Sequence, residues 1–283
     1  LRILLIGKKG QVGWELQCSL ARLGEVIAFD HAELDLSVPD QISSRVREAE
    51  PDIIVNAAAY TAVDRAESEP QLAFAVNATA PGIIAEEAKR LGILLVHYST
   101  DYVFDGIKSG PYTEEDLPNP VNVYGTTKLA GERAIQATGG RYLILRTSWV
   151  YSVRGNNFLR TMIRLAQERP RIRVVNDQRG APTWARDIAG ATARVLAMND
   201  APLGLYHMTS SGDTTWFDFA RAILESTGLS TEVVAIPTSE YPTAARRPAC
   251  SLLSNDKFFN DYGFQLNGWR SALARCLSEP WTS

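Results

Sequence analysis

The feature that most narrows the architecture is an apolar strand that runs straight into a glycine-spaced turn: Arg2 to Ile6, then Gly7-Lys8-Lys9-Gly10-Gln11-Val12-Gly13. Gly7, Gly10 and Gly13 lack Cβ atoms where a strand becomes a helix, so a pyrophosphate can approach backbone N–H groups and the positive helix end. The spacing is GxxGxxG rather than GxGxxG, and a helix-packing turn also asks for glycine, so the triplet needs support from the rest of the chain. That support is a rhythm. Strands are predicted over Arg2 to Ile6, Val26 to Asp30, Ile53 to Asn56, Leu94 to Ser99 and Tyr142 to Arg146, with helices over Gln11 to Arg22, Asp40 to Glu48, Leu72 to Leu91 and Val123 to Ala137. Pro39, Pro81 and Pro120 stand near helix starts or breaks. The βαβ alternation predicts an α/β protein with a Rossmann-type, doubly wound parallel sheet over residues 1–150, which binds ligands at the carboxyl ends of its strands.

Beyond Trp149 the rhythm loosens. Asn156 to Glu168, Thr183 to Met198 and Trp216 to Ser226 read as helices and Arg173 to Val175 as a short strand. Residues 151–283, richer in Pro, Trp and Arg, are expected to form a smaller α/β lobe that closes over a substrate and is interleaved with the last elements of the first domain. A chain of 283 residues, 45% hydrophobic, can bury a sizeable core. Its net charge of -3, with both signs well mixed, offers no basic stripe for nucleic acid or an anionic membrane, so a small-molecule partner is expected. The apolar start is too short for a signal sequence or a membrane span, which points to a cytoplasmic protein. Leu1 replaces the usual methionine; a non-standard start codon or a trimmed start would each give that. Cys18, Cys250 and Cys276 are scattered, as are His31, His97 and His207, so neither a disulfide framework nor a zinc site is expected.

Asp30 ends the second strand, where a carboxylate commonly accepts from an adenosine ribose and disfavours a 2′-phosphate. That favours NADH, whereas Lys8 and Lys9 inside the glycine loop suit the extra phosphate of NADPH. Tolerance of both cofactors is the expectation. Asp35-Leu36 is placed to bracket the adenine, and the small residues of Asn56-Ala57-Ala58-Ala59-Tyr60-Thr61 permit close passage of a cofactor, or equally a tight packing turn.

Ser99-Thr100-Asp101-Tyr102 ends the fourth strand, so Thr100 emerges at the same rim and can hydrogen-bond a substrate carbonyl. Tyr124 and Lys128 follow at i and i+4, on one helix face. A phenol there can give a proton to a reduced carbonyl if its pKa falls from about 10 toward neutrality, and an ammonium one turn on stabilises the phenolate. Trp149, after a strand end, can stack on a sugar or simply pack in the core. Arg246 and Arg247, ahead of Pro248, can clamp a diphosphate, one of the two being enough.

At these residues the chain resembles the extended short-chain dehydrogenase/reductase superfamily, and within it the dTDP-4-dehydrorhamnose reductase branch. The resemblance runs end to end, through Val63-Asp64-Arg65-Ala66-Glu67, Ser99 to Phe104, Tyr124 to Lys128, Arg146 to Tyr151, Gly155 to Phe158, Asn176 to Thr183 and Ala245 to Pro248. It implies NAD(P)H-dependent reduction of the C4 ketone of dTDP-4-dehydro-6-deoxy-L-mannose to dTDP-L-rhamnose. It also implies cofactor contacts from Gly10, Gln11, Val12, Asp30, Asp35, Leu36, Ala59, Tyr60, Thr61, Tyr98 and Lys128, and sugar-side contacts from Thr100, Asp101 and Trp149, with Tyr124 as the acid. Some members of that branch are dimers bridged by magnesium on glutamates. Glu15 and Glu279 match two such positions, but Arg186 stands at the third and repels a cation, so a monomer or weak homodimer without metal is expected. Two readings compete with this one. A related epimerase, dehydratase or other 4-ketosugar reductase would use the same cofactor lobe, and a non-catalytic NADP-binding regulatory subunit would not need Tyr124 and Lys128 together.

Overall fold

The computed structural model of the chain describes residues 1–280. Six strands form one sheet: β1 (Arg2–Ile6), β2 (Glu25–Phe29), β3 (Ile53–Asn56), β4 (Leu94–Thr100), β5 (Arg141–Thr147) and a late strand, Gly204–His207. Their order is Gly204–His207, β5, β4, β3, β1, β2, and every pairing is parallel. The chain leaves β1 toward β2 on one side and returns as β3 on the other, so the switch point lies between β1 and β3.

Side-chain alternation builds a core on each face of the sheet. Ile3, Leu5, Val55, Val96 and Leu145 face Leu16 and Leu20 of α1 (Gln11–Leu20). Leu4, Ile6, Ile54, Leu95 and Ile144 face the other way, onto α2 (Pro39–Ala49), the helix Ala80–Leu91 and the helix Val123–Thr138. Strand β4 lies in the middle and is buried along its whole length, although it carries His97, Ser99 and Thr100. Polar groups in such a strand cost stability unless each finds a partner, and here they lead to the site.

The single helix expected over Leu72 to Leu91 is three pieces. After α3 (Val63–Ala66) come α4 (Pro70–Phe74), a π-helical segment Ala75–Thr79, and α5 (Ala80–Leu91). Pro81 has no N–H to return to the preceding turn, and the wider π turn absorbs the mismatch just before it. Helix α6 (Val123–Thr138) then runs as read, capped by the Asn122 side chain, which accepts from Gly125 N–H at 2.8 Å.

The second half adds β6 (Val150–Tyr151), α7 (Phe158–Glu168), β7 (Arg171–Val175), β8 (Arg179–Gly180), β9 (Thr183–Trp184), α8 (Ala185–Leu196), β10 (Gly204–His207), β11 (Thr214–Thr215), α9 (Trp216–Thr227), β12 (Glu232–Ile236), α10 (Asp256–Tyr262) and α11 (Trp269–Leu277). Thr183 and Trp184 pair as a strand with β6 rather than starting the helix expected from Thr183. Residues of α7, α9 and α11 gather around Trp184, Phe219 and Trp269 in a separate core. Ile188 and Val195 of α8, Tyr206 of β10 and Phe258 of α10 pack instead on the large sheet. Residues 281–283, which end the lobe as read from sequence, lie outside the described residues. Among the described residues no helix is long and apolar enough to cross a membrane.

Candidate active site

A cavity of about 680 Å³ opens over the switch point, lined by the glycine loop, the end of β3, Asp30, Asp35, Leu36, Tyr98, Tyr124 and Lys128. Its floor depends on absent side chains. Gly7 has φ +93° and a Cβ there would lie 2.7 Å from the Ala58 nitrogen; one on Gly13 would lie 2.0 Å from the Gly7 carbonyl. Gly13 does not line the cavity, and lets α1 close onto the turn. Gly10, the N-cap of α1, offers no side-chain cap, so the first N–H groups of the helix meet no side chain there. Gln11 reaches outward: its Oε1 accepts from Ser152 at 3.1 Å and Asn157 at 2.8 Å, which brings Gly155 and Asn156 in as a wall of the same cavity. Val12, Ala59, Tyr60 and Thr61 also line it.

After β2 the two charges that conflict in sequence pair with each other. Asp30 accepts from the Ala32 and Glu33 N–H groups at 2.9 and 3.2 Å and forms an ion pair with Lys9. The Lys9 ammonium holds the Asp30 carboxyl below the usual carboxylate range. Lys8 turns away, to Glu33 at 2.5 Å and the Ala28 carbonyl at 3.2 Å. Asp35 uses one carboxyl oxygen on Ser37 N–H and Oγ.

At the inner end Tyr124 is partly buried, its ring edge-on to Tyr102 at 5.9 Å between centroids. Burial pushes its phenol up to about 12; a hydrogen bond with Thr100 opposes this and the Asp101 charge adds to it. The expected fall toward neutrality through Lys128 is not seen. The Lys128 side chain is directed to β4 instead, donating to the Tyr98 carbonyl at 2.7 Å and meeting His97 Nε2 at 3.2 Å. Burial lowers Lys128 to about 8, opposed by Glu132. Thr100 donates to Asp101 at 3.0 Å, and Asp101 is pushed up to about 7 by burial against hydrogen bonds with Ser251 and Thr100. Ser99 Oγ, Asp101 Oδ2 and Thr147 Oγ1 are buried here without a protein partner, and such atoms suit a polar ligand. Tyr98 lines the cavity, but its hydroxyl is turned to Thr192 at 2.7 Å; what it gives the site is its carbonyl.

A second cavity, about 730 Å³, is lined by Tyr102, Asp64, Arg247, Trp216, Arg171 and Arg173 among others. The Tyr102–Tyr124 pair joins it to the first. Arg247 makes a two-point ion pair with Asp64, at 2.8 and 2.7 Å, whereas the Arg246 side chain is exposed outside both cavities and only its carbonyl is used, by Asn122 at 2.8 Å. Trp149 lines neither cavity: its indole stacks on Trp216 at 3.5 Å, and Trp216 lines the second cavity in its place. No spacing in the sequence links Asp64 to Arg247, 183 residues apart. The alternation Arg169, Arg171, Arg173 was a visible signal for a basic strand face. Arg186 lies between Glu15 and Glu279, at 2.9 and 2.5 Å.

A glycine turn, a carboxylate at the end of β2 and a Tyr–Lys pair at the rim of a parallel sheet define a nicotinamide-dependent oxidoreductase of the extended short-chain dehydrogenase/reductase type. The family model of the RmlD substrate binding domain matches residues 1–281. The chain is 51% identical to a dTDP-4-dehydrorhamnose reductase of Burkholderia thailandensis, with 99% of each covered, and 48% identical to one of Escherichia coli K12, with 100% of this chain and 99% of that one covered. The crystal structure of the Bacillus anthracis dTDP-4-dehydrorhamnose reductase in complex with NADP superposes with a TM-score of 0.95, at 36% identity over 99% of both chains. The chain belongs to the dTDP-4-dehydrorhamnose reductase family. A Thermus thermophilus UDP-glucose 4-epimerase in complex with NAD, at 22% identity and a TM-score of 0.84, shares the fold.

Proposed function

We propose that the protein reduces the C4 ketone of dTDP-4-dehydro-6-deoxy-L-mannose to dTDP-L-rhamnose, using NADPH or NADH. The observation that carries this reading is Tyr124, standing over Thr100 at the junction of a dinucleotide-sized cavity and an arginine-lined one. When bound, the reduced nicotinamide supplies the hydride. The uncapped N-terminus of α1 holds the pyrophosphate, Asp30 and Lys9 the adenosine ribose, and the remaining N–H of Lys128 a ribose hydroxyl near the reacting end. Thr100 turns its one O–H from Asp101 to the ketone oxygen, and Tyr124 gives that oxygen a proton. A phenol raised to about 12 keeps its proton at neutral pH, which suits an acid in the reducing direction. Arg247, aimed by Asp64, takes the diphosphate, and Trp216 presents a flat apolar surface to the sugar or base.

Mixing the purified chain with NADPH and the keto sugar, while following loss of the reduced-nicotinamide absorbance, tests the proposal. Absence of oxidation, with NADPH still bound, would favour a binding-only role. Asp64→Ala should raise KM for the nucleotide sugar about tenfold while the NADPH dissociation constant holds, because Arg247 loses its two-point partner. Asp30→Ala should raise the NADPH-to-NADH ratio of kcat/KM about tenfold, since the carboxylate that opposes a 2′-phosphate is gone and Lys9 is released; an unchanged ratio counts against the assignment. The chain is further proposed to be a monomer or weak homodimer without bridging metal, supported by the guanidinium between Glu15 and Glu279. A chelator should then leave its elution volume in size-exclusion chromatography unchanged.

A further inference from the structure

Lys128 of α6 is held by a buried chain of hydrogen bonds that reaches across two strands, β4 and β3. Its Nζ meets His97 Nε2 at 3.2 Å, His97 Nδ1 meets Asn56 Nδ2 at 3.2 Å, and Asn56 Oδ1 accepts from the Ala58 N–H at 3.1 Å. Asn56, His97 and Lys128 are each no more than 2% exposed. The far end fixes the direction of the chain. A backbone N–H only donates, so the amide oxygen of Asn56 faces Ala58 and its NH₂ faces the imidazole. Nδ1 of His97 therefore accepts. Burial keeps His97 neutral, so its one proton sits on Nε2.

An Nε2–H can donate to an amine lone pair and cannot meet an ammonium. When Lys128 is protonated, Nε2 has to accept and the ring proton sits on Nδ1. That proton then faces the Asn56 NH₂; if the amide turns over, its NH₂ faces the Ala58 N–H instead. Either way two donors oppose each other in the core, so the chain is fully satisfied only with neutral Lys128. In both states the Tyr98 carbonyl takes one N–H of Lys128 and another is left for the cavity.

We propose that Asn56 and His97 are positioning residues of the reductase site, which couple the charge of Lys128 to the tautomer of the His97 ring and set the pH at which Lys128 ceases to be a cation. This rests on the reading of Lys128 as the cation at the hydride-transfer site. Other groups bear on it from each neighbouring element. Tyr124 and Glu132 flank Lys128 on α6, Glu132 being itself bound to Arg146 of β5, and Asp101 faces Tyr124 from the end of β4. The lowering of Lys128 to about 8 by burial agrees with the donor count.

Nitrogen-15 NMR of the histidine ring and carbon-13 NMR of the lysine ε-carbons, recorded between about pH 6 and 10 on the intact protein, read both partners without turnover. Above the Lys128 midpoint His97 should show Nε2–H, crossing to Nδ1–H as Lys128 gains its proton. Asn56→Asp gives Nδ1–H a permanent acceptor, so it should keep that tautomer throughout. It should also raise the Lys128 midpoint by about one unit, a tenfold change, and carry the basic limb of kcat/KM with it. Should Asn56→Asp fail to fold, the wild-type tautomer titration decides alone. A His97 tautomer that does not change across the Lys128 titration overturns the proposal, as does an unmoved Lys128 midpoint in a folded Asn56→Asp. Failure of the keto-sugar assay with the tautomer change intact would instead remove the proposed reaction and leave the coupling standing.

Discussion

Replacing Tyr124 by phenylalanine is expected to lower turnover by roughly a hundredfold or more while the NADPH dissociation constant stays within about twofold. The ring remains, so its edge contact with Tyr102 and its share of the cavity wall are retained. What goes is the hydroxyl proposed to give the ketone oxygen its proton. Steady-state rates set beside a fluorescence titration of NADPH separate the two effects. Normal turnover in the variant would mean that another acid serves, and Asp101, raised to about 7 nearby, would be the first to substitute.

The second large effect is on stability. Arg146 and Glu132 form a two-point ion pair, at 2.9 and 2.6 Å, with both side chains 2% exposed, and the guanidinium also lies over Phe104. Arg146→Leu strands a carboxylate in the core and should cost about 3–5 kcal/mol of folding stability, read as a lowered midpoint in urea. Adding Glu132→Leu should recover most of that loss, because an apolar pair of similar volume carries no desolvation cost. If the double variant were no more stable than the single one, packing and not charge would be what Arg146 provides.

The large sheet was legible because its information is local. Each strand of the first half is a short apolar run, and each connection a helical period, so β1 to β5 are found within a residue or two of where alternation puts them. The late strand β10 is four residues, Gly-Leu-Tyr-His, too short for a period to register, yet it completes the sheet beside β5. Leu72 to Leu91 reads as one helix with Pro81 near a start or break, and no local signal gives the π turn at Ala75–Thr79. In the site, Gly7, Gly10, Asp30, Ala59, Tyr60 and Thr61 line one cavity because topology delivers them to one rim, whereas Gly13, Thr100, Asp101 and Trp149, read from the same turn and strand ends, line neither cavity. Partnerships between distant segments were not legible: Asp64 with Arg247, Trp149 with Trp216, and the partners of Lys128. The sequence places Lys128 beside Tyr124 by helical spacing, while the buried partners that direct its amino group, the Tyr98 carbonyl and the His97 ring, lie on β4.

Arg186 has a consequence for how variants of the protein are read. By pairing with Glu15 on α1 and with Glu279, which follows α11, Arg186 of α8 moors the segment after α11 to the helix behind the glycine turn. A substitution that removes the Glu279 carboxylate would therefore be felt at α1, and weakened NADPH binding in such a variant would report a loosened mooring rather than damage to the pocket.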